Sequence, residues 1–135
     1  GDTVNVAARL EGLSKEYGTR VVIGEAAKDA AGGAFVYRFL DVVAVKGRSR
    51  PLSVYEIVGR AGQLAPAVTK RLELYQEGIA LYRTRRWADA AALFREILAD
   101  AKEDGPSALY LRRSGEFLVN PPPDAWDGVY VAQSK

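Results

Sequence analysis

The hydrophobic period of this chain changes once, at Gly59-Arg60-Ala61-Gly62-Gln63-Leu64-Ala65-Pro66, and this change constrains the fold more than any other feature. Before it, helix-spaced and alternating patterns are interleaved; after it, apolar residues recur only at helical spacing. The stretch itself has the composition of a linker. The pattern therefore predicts two units: residues 1–59 of mixed α+β character, a linker over 60–67, and a helical tail over 68–135 that closes in a Pro-rich segment. A length of 135 residues by itself suits one modest domain or two small packed units, and not a large enzyme.

Within the first half, Val6, Leu10, Leu13 and Tyr17 form one apolar helical stripe, ended by Gly18. Arg20-Val21-Val22-Ile23 is short and β-branched and reads as a strand. A short helix is predicted over Glu25 to Ala31, closed by Gly32-Gly33. Phe35 to Val45 alternates like a strand, with Phe35, Tyr37 and Phe39 against Val36, Arg38 and Leu40. Lys46-Gly47-Arg48-Ser49 is a turn, and Pro51 to Val58 returns as the second arm of a hairpin. In the second half, Leu72, Tyr75, Ile79 and Tyr82 make one helical stripe and Trp87, Ala90, Phe94 and Ile97 another. The short link Arg83-Thr84-Arg85-Arg86 favours an antiparallel pair. Asp104-Gly105-Pro106 opens a third helix with Pro106 at its first position, and Asn120-Pro121-Pro122-Pro123 stops it.

Composition removes several function classes. The chain has no cysteine and no histidine, which excludes disulfides, zinc fingers, Cys nucleophiles and His-based triads from its own residues. Its 19 Lys and Arg nearly balance 17 Asp and Glu, so bulk charge does not steer it to nucleic acid or membrane. Arg83, Arg85, Arg86 and Trp87 read as a solvated inter-helix turn with the indole packed inward, not as a nucleic-acid patch. Apolar runs fall short of a membrane span, and no signal-peptide pattern opens the chain. There is no methionine and the chain opens Gly1-Asp2-Thr3, which predicts a piece of a longer protein.

The most specific signal is Gly1-Asp2-Thr3-Val4-Asn5-Val6-Ala7-Ala8-Arg9-Leu10-Glu11. Asn5 and Arg9 stand four residues apart, so on a helix both side chains face one way. That direction lies roughly a quarter turn from the apolar stripe, given about 100° per residue. The stripe can hold the helix on a core while the pair reaches a cleft. The segment resembles the helix of class III nucleotidyl cyclases, the adenylate and guanylate cyclase catalytic domain, whose pattern is a Gly, a short polar step, then Val-Asn-x-Ala-x-Arg. Leu40-Asp41-Val42-Val43-Ala44-Val45-Lys46-Gly47-Arg48 resembles the same family's strand-to-turn segment, and Pro51-Leu52-Ser53-Val54-Tyr55-Glu56-Ile57 its closing strand. The resemblance covers essentially all of residues 1–59.

The resemblance implies part of a ferredoxin-like cyclase fold and a set of roles. Asn5 positions the ribose and Arg9 stabilises the transition state, for which a guanidinium offers a fixed fork of donors to phosphoryl oxygens. Lys46 contacts the nucleotide phosphates, and Arg48 occupies a second, supporting basic position. The implied substrate is ATP, more often than GTP in this family, and the products are cyclic AMP and pyrophosphate. Two divalent ions, Mg²⁺ or Mn²⁺, are implied, held by aspartates that the family carries upstream of this helix, so this chain is expected to supply no metal ligand and to be inactive alone. A head-to-tail homodimer is implied, each site drawing on both protomers.

Gly78, Leu81, Ala90 and Phe94, with Trp87 between the helices, resemble a tetratricopeptide repeat. One repeat is visible where about three make a free-standing solenoid, so a docked helical appendage is expected. Such tails follow the catalytic domain in some bacterial cyclases with membrane spans and a CHASE-type sensor in front. The expected setting is a cytoplasmic domain, in a parent tied to the inner membrane only through other segments. Two rival readings stand beside the enzyme: a non-catalytic cyclase-like dimerisation or sensor-coupling module, and, ranked last for want of an aromatic strand motif, a ferredoxin-like RNA-binding domain.

Overall fold

The structure is a computed structural model that describes residues 21–44 and 50–130. It is an α+β protein with three strands and four helices among the described residues. The chain divides into two compact units, Gly1–Gly62 with Trp126–Lys135, and Gln63–Ala125. The predicted helix carrying Val6, Leu10, Leu13 and Tyr17 lies outside the described residues.

In the first unit, β1 (Val22–Gly24) leads into α1 (Glu25–Ala31), a 3₁₀ turn (Gly32–Ala34), β2 (Phe35–Val43) and β3 (Leu52–Arg60). Four alanines in seven residues favour helix in α1. It ends at Gly32, whose φ of 62° lies in the left-handed region open to glycine. The sheet order is β1-β3-β2, antiparallel throughout, so β3 is central. β3 begins one residue after Pro51, which has no N–H to give to a ladder. It runs on through Gly59 and Arg60, which pair with Val36 and Phe35. β2 stops at Val43, two residues short of the predicted Val45.

Two register shifts interrupt the β2–β3 ladder, between Val36 and Tyr37 and between Phe39 and Asp41. Such irregularities bend a strand and raise its twist. Leu40, Val43, Leu52 and Val54 form the buried apolar part of the sheet. Phe39 faces Tyr55 across the ladder, with rings edge-to-face at 5.8 Å. Arg38 and Glu56 are also direct cross-strand partners. Arg38 Nε and Nη2 both donate to Glu56 Oε1, at 2.8 and 2.7 Å. The arginine side chain is 5% exposed and the glutamate 17%.

In the second unit, α2 (Pro66–Arg83), α3 (Trp87–Asp100) and α4 (Gly105–Val119) follow one another, and α3 packs against both neighbours. Pro66 starts α2, where its missing N–H costs nothing. Asp104 is the N-cap of α4, so Pro106 is its second residue and not its first. The core is aromatic. Tyr75, Phe94 and Tyr110 meet with centroids 5.8–6.2 Å apart, and Tyr82 lies 4.9 Å from Tyr110 and 5.4 Å from Trp87. Gly78 makes this possible: a Cβ there would lie 2.8 Å from Phe94 Cζ and 2.9 Å from Cε1.

The α2–α3 turn holds a residue of unusual backbone. The Arg85 N–H bonds the Tyr82 carbonyl and the Arg86 N–H bonds the Leu81 carbonyl, a Schellman closure of α2. Glycine is the common residue at the left-handed position of that motif, yet Arg85 occupies it at φ 69°. Its guanidinium donates to the carbonyl oxygens of Pro122, at 3.2 Å, and Pro123. The side chain thus ties the Pro-rich segment to the turn, which a glycine could not do.

Three stability experiments follow from this packing. Gly78→Ala should lower thermal stability by about 1–3 kcal/mol through overpacking, although alanine is the better helix former; an unchanged or raised melting temperature contradicts the close approach. Glu56→Ala should cost roughly 3 kcal/mol in urea denaturation, and Arg38→Met with Glu56→Leu should recover most of it; strictly additive losses would mean the two residues do not interact. Arg85→Gly should leave the helices as stable or slightly more so, relieving about 1 kcal/mol of backbone strain, while speeding proteolysis within residues 120–125. Equal protease resistance there would show that the arginine does not hold the segment.

Candidate functional site

The four residues singled out from the sequence, Asn5, Arg9, Lys46 and Arg48, all lie outside the described residues. The structure describes the framework on either side of two of them. Lys46 and Arg48 stand between β2 and β3, and the nearest cross-strand pair is Val43 with Leu52, both buried. That pair, with Val42 opposite Ser53 and Asp41 opposite Val54, fixes where the chain leaves and re-enters the sheet. Asp41, 3% exposed, accepts a hydrogen bond from the Val42 N–H at 2.9 Å on its Oδ1. Its carboxylate is occupied in local backbone structure beside the ladder irregularity at Phe39/Asp41.

Sequence reasoning placed Arg38 on the Leu40 side of β2 but did not foresee its ion pair. An unbroken register from Val43 opposite Leu52 would set Arg38 opposite Ile57; the single irregularity at Phe39/Asp41, which the residues do not announce, moves it opposite Glu56. On α1, Lys28 Nζ sits 5.5 Å from the Tyr37 ring centroid and 5.0 Å from that of Tyr55, a cation–π arrangement across neighbouring strands. At the end of the β2–β3 ladder, Arg60 lies over the ring of its cross-strand partner Phe35 at 5.6 Å. These contacts place positive charge on ring faces and order the unit's surface; no substrate group is needed to explain them.

Among the described residues no group of three or more His, Cys, Asp or Glu side chains could hold a metal ion. Among the same residues, no helix is long and apolar enough to cross a membrane.

No family model matches the sequence, and no solved structure matches it. Curated proteins do. The chain is 34% identical over 117 residues to the terminal-differentiation-specific adenylate cyclase of Dictyostelium discoideum, covering 84% of this chain and 6% of that protein. It is 48% identical over 59 residues to adenylate cyclase 1 of Rhizobium meliloti (strain 1021), covering 44% of this chain and 9% of the relative. It is 42% identical over 60 residues to the adenylate cyclase of Anabaena cylindrica, covering 42% and 12%. The chain thus spans between 6% and 12% of the length of these relatives. A match covering 84% of the chain is too long to be confined to either unit alone. These likenesses relate the chain to one portion of adenylate cyclases.

Proposed function

We propose that this chain is part of the catalytic region of a class III adenylate cyclase, which converts ATP to cyclic AMP and pyrophosphate in signal transduction. The observation that carries this reading is the 34% identity over 117 residues to an adenylate cyclase, supported by two shorter matches at 42% and 48% to proteins of the same name. The motif Val4-Asn5-Val6-Ala7-Ala8-Arg9 and the segment ending Lys46-Gly47-Arg48 agree with it.

In the reaction, the ribose 3′-oxygen attacks the α-phosphorus, the bond from that phosphorus to the pyrophosphate oxygen breaks, and the 3′-hydroxyl proton is lost. Negative charge grows on the α-phosphoryl and leaving-group oxygens. Arg9 is proposed to meet that charge with its fork of donors, and Asn5 to orient the ribose without adding charge. Lys46, with Arg48 in support, is proposed to hold the polyphosphate through point charge. Mg²⁺ or Mn²⁺ would supply activation of the hydroxyl and neutralisation of the phosphates. We place their ligands on residues outside this chain, so that the 135 residues alone turn over no nucleotide. A head-to-tail homodimer belongs to the same reading, as does a role for the helical unit as a tetratricopeptide-like docking element.

The test is made in the full-length protein that contains this stretch. Arg9→Ala should reduce cyclic AMP formation about a hundredfold or more, with little change in the KM for ATP or in melting temperature. Lys46→Ala should raise the KM for ATP more than it lowers kcat. Wild-type turnover in the Arg9→Ala protein would defeat the assignment and leave a non-catalytic, cyclase-like dimerisation module as the better account.

A further inference from the structure

The helical unit carries a cleft of about 160 Å³ between the start of α2 and the end of α3. Lys70, Arg71 and Leu74 line it from α2, and Glu96, Ile97 and Asp100 from α3. The spacing on each helix puts these groups on one face. One wall is therefore cationic, the other anionic, with Leu74 and the buried Ile97 between them.

Oppositely charged walls this close would ordinarily cancel by pairing across the gap. They do not. Among the described residues the side chains of Lys70, Glu96 and Asp100 make no ion pair or hydrogen bond. Glu96 and Asp100 are like charges at i and i+4, an unfavourable pair on a helix. Helix dipoles add to the separation. The cations stand near the N-terminus of α2, which has no acid in its first turn, and the acids near the C-terminus of α3, which has no base in its last. Asp100, the last residue of α3, thus bears charge of the same sign as its helix end, the arrangement the dipole disfavours. Arg71 is also held in place: its Nη1 lies 3.9 Å from Oδ1 of Asp104, whose side chain is 4% exposed and whose Oδ2 accepts the Ser107 hydroxyl at 2.5 Å.

We propose that this cleft binds a small zwitterion of the α-amino-acid class with an aliphatic side chain. Its carboxylate meets Lys70 and Arg71, its ammonium meets Glu96 and Asp100, and its side chain lies on Leu74 and Ile97. A molecule with one charge of each sign relieves both walls at once, whereas a simple anion or cation satisfies one and repels the other. The site lies wholly within the helical unit and does not depend on the cyclase reading.

The probe is L-leucine, titrated into the 135-residue chain and followed by amide chemical shifts and calorimetry, with N-acetyl-L-leucine and L-leucinamide as controls. L-Leucine should bind saturably in the millimolar range, shifting amides of residues 70–74 and 96–101. Each control, having lost one charge, should bind about tenfold more weakly. Lys70→Gln and Asp100→Asn, both exposed changes, should each weaken L-leucine by about tenfold at an unchanged melting temperature. Absence of saturable binding overturns the proposal. So does binding of N-acetyl-L-leucine as tight as that of L-leucine, or shifts confined to other parts of the chain.

Discussion

The central place of β3 is the constraint from which the sheet-bearing unit is built. β1 and β2 both pair with it, so its register sets theirs. A slip of one residue would turn every β3 side chain to the opposite face. Val54 and Leu52 would leave the interior and Glu56 would lose its place opposite Arg38. The ion pair adds a charged lock to this register, since a buried guanidinium tolerates few alternatives. The anchoring of the chain at Val43 and Leu52, on either side of the Lys46 segment, inherits this precision.

The helical unit rests on a different physical basis. Its order comes from aromatic rings packed around Tyr110, Tyr75 and Tyr82 edge-to-face and Phe94 stacked, with one glycine cut away to let Phe94 in. Polar groups are threaded through that core: Asp104, Ser107 and Arg113 are all buried on α4 or its cap, and the Arg113 guanidinium lies 5.2 Å from the centre of the Tyr110 ring. Such groups cost stability unless satisfied, and they narrow the ways in which the helix can pack. The sheet is thus fixed by backbone pairing, the helices by side-chain shape.

Much of this architecture was legible in the residues. Helix α1 was readable to its last residue because alanines favour it and Gly32-Gly33 ends it. The hairpin was readable from the alternation of Phe35, Tyr37 and Phe39. The ends of β3 were not, because Gly59 and Arg60 look like linker residues until a partner strand is present to pair them with Val36 and Phe35. The left-handed Arg85 escaped notice for the converse reason: a local rule favours glycine there, and only a distant contact, with the Pro122 and Pro123 carbonyls, gives arginine a purpose. The mixed-charge cleft was equally hidden, since Lys70 and Asp100 become neighbours only when α2 and α3 pair. The proposed catalytic residues were found by motif alone, and Asn5, Arg9, Lys46 and Arg48 lie outside the described residues.

The return of the chain at Trp126 to the sheet-bearing unit bears on the order in which the protein assembles. The helices are contiguous in sequence and close through nearby contacts, the kind of topology that forms fast. The last residues assigned to the sheet-bearing unit, from Trp126 on, emerge from the ribosome only after the helices have been made. Truncation between Val119 and Trp126, which spares every helix, therefore removes material from the unit that was translated first.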